Sequence, residues 1–592
     1  MLHRPRNRLL SGFAIAATLA LSPVPALAGP PEDFTALQSE FEAMLLRESP
    51  EYATMLGVRA YDDRVSDVSL VAADRRAAAA QALLTRLDAI PATALSAADR
   101  TNRSIMHRML SESVEANGFG QRTMLFTTYA GWHQNFAGLA DSLPFNRLAD
   151  YRSYVARLAQ YPAVNDEALR VSQQALDGGS VLPCVVLGGT ERGISGLIAA
   201  DVAQSRYYAP FINAKPVDAS DAEWAALQAE ARRVIGEAIN PALAKHRDWF
   251  VTSYLPRCAQ AVGVSAQPGG AAYYAFRIRQ ETTTDMGAEE IHQLGLSEVA
   301  RIRAEMEQVA TRAGFASREA FIADLRTNPR YYATTPEELM MHTARITRRI
   351  DGFMPRLFGR LPRLPYTIRE IPAETAEGTT TAYYSQGSPS GGIAGTYYVN
   401  TSKLNQRPYW EIPALSLHEA VPGHHHQISL QQELDIPLWR RSFTGFTAFV
   451  EGWGLYSERL GIGMGLYDTP ETDMGRLSYE MWRACRLVVD TGIHAKGWSK
   501  EQAVAFMRDN SAMSDANIDA EVNRYISWPG QALGYKIGEL RIRALRERAE
   551  RELGARFDLR AFHDAVLAQG AVPMDVLEAQ VGEWIAGQRT LE

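Results

Sequence analysis

The sequence is short of cysteine, has no basic surplus and contains no long apolar run, and each shortage excludes a class of protein. Only three of its 592 residues are cysteine: Cys184, Cys258 and Cys485. Such a set cannot staple a disulfide scaffold. It allows at most one bridge, and spacing does not select the pair, so free, buried thiols are expected. Acidic residues outnumber basic ones by 68 to 61. That balance argues against a nucleic-acid binder, which needs cations to neutralise phosphate. No run approaches the roughly 20 apolar residues of a membrane span, so no stable membrane insertion is expected. There is no internal repeat and no low-complexity linker. What remains is ordinary globular composition, 46% hydrophobic and 22% charged, with enough chain for one large body or two lobes flanking a cleft.

The first residues read as a leader rather than as part of that body. Arg4, Arg6 and Arg8 precede a short apolar run from Leu9 to Leu21, and Ala26-Leu27-Ala28 follows. This is the charged, apolar and small-residue order of a secretory signal peptide, residues 1–28. No cysteine follows the cleavage site, which argues against a lipid anchor. The mature chain, 29–592, is then expected in the periplasm or outside the cell, more acidic than the precursor.

Apolar periodicity predicts a mainly α protein. Leu70 to Ile90, Thr284 to Gly314 and Thr335 to Phe353 carry helical patterns. Ile537 to Leu553 puts Ile537, Leu540, Ala544 and Leu545 on one face, and Gly554 follows as a stop. Between Pro362 and Asn400 the pattern changes. Tyr366 to Arg369, Thr379 to Tyr384 and Gly395 to Asn400 are β-type runs separated by Pro and Gly clusters. They predict a small sheet inserted in the helical body, just upstream of the most informative segment.

That segment is Leu415 to Gln427. Four of the 12 histidines lie within nine residues, at His418, His424, His425 and His426. A His-Glu-x-x-His helix binds zinc because ligands four apart share a face and the Glu reaches metal-bound water. Here the fourth residue after His418 is Pro422, which cannot bind metal. Six helical residues rotate about 600°, which would leave His424 on another face. Pro422 and Gly423 give a reason for a break that returns His424 towards His418. His425 is the alternative, and His426 reads as a supporting or surface residue. A catalytic zinc needs a third protein ligand and an open position. Glu451 and Glu458 lie seven apart amid apolar and aromatic residues, where an unpaired carboxylate is costly. Glu451 is the expected ligand, with Glu458 as its supporting partner or alternate.

Taken together, these motifs resemble the bacterial domain of unknown function 885 family. The resemblance rests on Gly57 to Ser69, Tyr397 to Asn400, His418 to Gln427, Glu451 to Glu458, Asp490 to Trp498 and Tyr525 to Gly538. It implies a helical, cleft-containing zinc-metallopeptidase-like hydrolase acting on peptides. On that reading Zn2+ is held by His418, His424 and Glu451, and Glu419 is the general base. A neutral donor must also stabilise the oxyanion. Tyr535 is the first candidate, Tyr525 the second, and His494 could serve the same role. Arg524 and Lys536 could pair with a substrate carboxylate. The alternatives are a zinc hydrolase of other amides or esters, and a non-enzymatic periplasmic metal-binding protein.

Overall fold

The computed structural model describes residues 29–590 except 129, 377, 378 and 390; the expected leader lies outside them. Helices dominate, and each helix predicted from periodicity is present. One runs Leu70–Asp88, its start fixed by Ser69, whose hydroxyl accepts from the Ala72 amide. Others run Ala288–Arg312 and Pro336–Asp351, the second opened by Thr335 in the same way. Such caps satisfy amides that have no partner within the helix.

Three strands form the inserted sheet: β1 (Tyr366–Glu370), β2 (Ala382–Ser385) and β3 (Gly395–Val399). Their order is β1-β3-β2. β3 pairs parallel to β1 and antiparallel to β2. Both of its edges are already paired, so strand addition there has no free ladder to extend.

Five helices build the site: α1 (Ile412–Glu419), α2 (His424–Gln432), α3 (Thr447–Leu460), α4 (Pro470–Lys496) and α5 (Leu533–Leu553). Every residue of α1 is buried, so it has no polar face and shows no amphipathic pattern. It lies at a seam between two apolar cores. Ile412, Ala414 and Leu415 join the core that holds Leu477 and Val488. Leu417 joins the core that holds Trp439, Phe449 and Trp453. α3 and α5 cross at backbone contact through glycines. A methyl on Gly538 would come within 1.8 Å of the Ala448 carbonyl oxygen, and one on Gly452 within 2.5 Å of Gly538 Cα. This close crossing brings Tyr535, near the start of α5, against α3.

Cys184 and Cys258 are joined by a disulfide across 74 residues, against the expectation of free thiols. Their Cα atoms lie 5.1 Å apart, inside the range a bridge requires. Cys485 is free and buried as expected.

Elsewhere in the chain, His133 and His246 form a buried pair, ring centroids 4.9 Å apart, with Trp132 stacked on His246. Burial holds His133 down to about 4. Burial and the neighbouring His133 hold His246 down to about 3. The unfolded chain protonates both near pH 6.5, so it binds more protons than the fold below that pH, and stability falls as pH falls. The thermal midpoint should therefore drop from about pH 6.5 towards pH 4. A His133→Phe, His246→Phe double variant should reduce this slope by about 2–3 kcal/mol per pH unit; an unchanged slope in denaturation scans would contradict the pair's role.

Candidate metal centre

The candidate centre begins with a break in the chain. α1 stops at Glu419 and α2 starts at His424, with Ala420 (ψ -113°) and Gly423 (ψ -129°) outside helical geometry. The Val421–Pro422 peptide is cis. A methyl on Gly423 would lie 1.9 Å from the His418 carbonyl oxygen and 2.4 Å from that of Leu417. Only glycine allows α2 to start that close to the end of α1. The loop is pinned by the Trp453 indole, which donates to the Pro422 carbonyl at 2.8 Å.

This break resolves the six-residue spacing. The His418 and His424 rings meet nearly at right angles, centroids 4.6 Å apart. Nε2 of each turns to the same atom, Glu451 Oε2, at 3.4 Å and 3.3 Å. One ligand atom from each of these residues falls within 4.8 Å of the others. Zinc with bonds of about 2.0–2.1 Å in a tetrahedron sets its ligand atoms about 3.3–3.4 Å apart. The two measured separations match that edge length. The donors are two imidazoles and a carboxylate, the chemistry zinc accepts.

α3 clasps His418 from both sides. Glu451 reaches Nε2, and Glu458, two turns on, bonds Nδ1 at 2.8 Å. Between them, Gly454 leaves room for the ring: a methyl there would lie 2.7 Å from His418 Cε1. Glu458 is held in turn by Arg483 Nη2 at 3.2 Å. A carboxylate on the far nitrogen of a ligand histidine fixes its tautomer and raises its basicity. Glu458 is thus a positioning residue. Burial opposes charge on His418, but Glu451 and Glu458 prevail and raise it to about 9. Burial likewise opposes charge on Glu451, yet His424 and His418 hold it well below the usual carboxylate range. The two carboxylates thus favour positive charge on the ring between them.

The other histidines are accounted for elsewhere. His425 Nε2 donates to the Leu364 carbonyl at 3.0 Å, and its Nδ1 faces Tyr384 and Ser429 hydroxyls. It ties α2 to the sheet, and both of its nitrogens have partners within the protein. His426 is fully buried against Phe358, with no hydrogen-bond partner among the described residues. The expectation of a supporting or surface role is corrected. All four histidines are buried, so the run is not a solvated one.

Glu419, the last residue of α1, is 8% exposed and has no hydrogen-bond or ion-pair partner among the described residues. Its charge acts on both His418 and Tyr397. An uncommitted carboxylate beside the ligand pair is the arrangement a general base needs.

Tyr535 stands at the centre. Its ring lies parallel to that of His418 at 6.2 Å, with the Arg486 guanidinium 4.1 Å above it. Burial and the Glu451 charge keep its hydroxyl protonated. Tyr525 and His494 are corrected. The Tyr525 hydroxyl accepts from Trp482 and Arg486, each at 2.9 Å, and meets Glu521. His494 Nδ1 accepts from the Val264 amide, and its Nε2 donates to the Tyr525 carbonyl. Neither has a group left for an oxyanion. Lys536 is fully buried among Glu298, Glu480 and Glu539 at 2.8–3.0 Å. Arg524 is bonded to Glu521 and Gln531. Both cations are committed to pairing within the protein.

Sequence reasoning missed Gly454 and Arg483. A signal existed for each: Gly454 sits between the two glutamates, and Arg476 and Arg483 lie one heptad apart in an otherwise buried helix.

The chain matches the model of the family described as bacterial protein of unknown function (DUF885) over residues 50–581. It belongs to that family. No curated protein matches it. A crystal structure of a candidate lipoprotein from Colwellia psychrerythraea is 27% identical, with a TM-score of 0.87, covering 95% of this chain and all of that one. A candidate lipoprotein of unknown function from Shewanella oneidensis shares the fold, at 20% identity and a TM-score of 0.70, over 92% of this chain and 99% of that one.

His424 and His425 can be separated by metal content. Purified His424→Ala should lose zinc binding by about 100-fold or more, whereas His425→Ala should keep a wild-type stoichiometry by mass spectrometry of the metal. Zinc lost equally from both variants, with both folded, would contradict the assignment.

Proposed function

We propose that this member of the family is an exported zinc-dependent hydrolase, with peptides as its substrates. The observation that carries the reading is the convergence of His418 Nε2, His424 Nε2 and Glu451 Oε2 beside the unpartnered carboxylate of Glu419. His418, His424 and Glu451 would hold the ion, and three protein donors leave a position open. When bound, zinc supplies Lewis acidity and brings the pKa of a bound water towards neutral. Glu419 accepts a proton at a carboxylate oxygen and returns it to the leaving amine. Tyr535 offers a protonated hydroxyl that hydrogen-bonds to no protein group among the described residues, and it donates to the carbonyl oxygen as negative charge develops there. Glu458 and Arg483 keep His418 fixed throughout.

Export is supported from three directions: the arginine-led leader, the Cys184–Cys258 bridge and the lipoprotein description of the Colwellia relative. Disulfides persist in oxidising compartments and are rare where thiols are kept reduced. Among the described residues, no helix is long and apolar enough to cross a membrane.

The decisive variant is Glu419→Gln. It is expected to bind zinc as the wild type does and to lose peptide hydrolysis by roughly a thousandfold or more in kcat. Turnover within a few-fold of wild type would overturn the mechanism. Hydrolysis of small esters or amides without any peptide cleavage would instead support the non-peptide reading.

A further inference from the structure

On the other side of α3 from the candidate centre lies a cavity of about 530 Å³. This is within the roughly 300–1,000 Å³ of small-molecule sites. α3 separates the two. At about 100° per residue, Tyr456, Arg459 and Leu460 point about 100–160° away from Glu458, towards the cavity. The opposite wall is α5, with Arg543, Arg546, Glu547 and Glu550.

The lining has two unlike parts. Phe353, Leu357, Leu460, Met464 and Leu559 form an apolar wall. The charged part is unbalanced in favour of cations. Glu550 is taken by Arg546 at 2.8 Å, and Glu547 lies 3.8 Å from Arg543. Arg356 and Arg459 have no ion-pair partner among the described residues. Among the charges acting on Arg459 the largest effect is repulsive, from Arg543. The buried carboxylates of Glu480 and Glu539 also act on Arg459, but both are bonded to Lys536. Arg356 rests over the Phe353 ring, 5.8 Å from its centre. Two free guanidiniums beside an apolar wall suit an anion with a hydrocarbon tail, because each half of such a ligand finds its complement.

We propose that this cavity binds a single-chain amphiphilic carboxylate, its head on Arg356 and Arg459 and its tail along Phe353, Leu357, Leu460 and Met464. The site is independent of the hydrolase reading. A carboxylate head can accept both guanidiniums in charge-assisted hydrogen bonds, while the tail removes apolar surface from water. A neutral alcohol of the same length keeps only the second gain, and acetate keeps only the first.

Calorimetric titration of the mature chain with decanoate, 1-decanol and acetate tests this directly. Decanoate should bind at least about tenfold tighter than either partial ligand. Arg459→Gln and Arg356→Gln should each weaken decanoate by roughly fivefold or more and leave 1-decanol unchanged. Arg356 is exposed, so its variant is expected to fold even if the Arg459 variant does not. Decanoate affinity equal to that of 1-decanol, or unchanged in the Arg356 variant, would overturn the proposal. A carboxylate could also seek a metal at the candidate centre, so His424→Ala is the control: it should bind decanoate as wild type does. Loss of binding in that variant would assign the ligand to the other site and overturn the proposal as well.

Discussion

One imidazole held between two carboxylates organises this protein. His418 has Glu451 on Nε2 and Glu458 on Nδ1. Both acids come from α3, and Gly454 opens the gap in which the ring sits. A ring with a carboxylate on each nitrogen has its orientation fixed before any metal arrives. The cost is considerable, since His418 and Glu458 are almost removed from water and Glu451 is partly so. It is met by tight packing on every side: α1 lies at the seam of two cores, α5 crosses α3 at backbone contact, and Arg483 neutralises Glu458.

The placement of His424 depends on that arrangement. A straight helix cannot present His418 and His424 to one ion. The chain meets the constraint by ending α1 and starting α2 against its last carbonyls, which Gly423 permits and Trp453 secures. His425 and His426 are then free to be structural, one tying α2 to the sheet and the other packing on Phe358. Four adjacent-looking histidines therefore have two different kinds of work.

Much of this was legible in the residues. Periodicity located the long helices, and Pro and Gly clusters located the strands. The costs of buried charge pointed to Glu451 and Glu458, and Pro422-Gly423 pointed to the break. What escaped was of one kind: whether a polar group is already committed. Residue type cannot reveal that the Tyr525 hydroxyl and both His494 nitrogens are spent within the protein, or that Lys536 faces three glutamates. Nor could spacing join Cys184 to Cys258, since a 74-residue separation carries no information about approach in space. The middle position of β3 escaped for a related reason: strand order is set by crossovers, which a local pattern does not record.

The central claim is that His418, His424 and Glu451 form one metal site. A crystal structure of the zinc-loaded protein, with anomalous data collected on both sides of the zinc edge, tests it most directly. The account predicts a single strong anomalous peak about 2.0–2.2 Å from His418 Nε2, His424 Nε2 and a Glu451 oxygen, with Glu458 still on His418 Nδ1. A peak on His425, or a saturated protein with no anomalous density at these three residues, would contradict it.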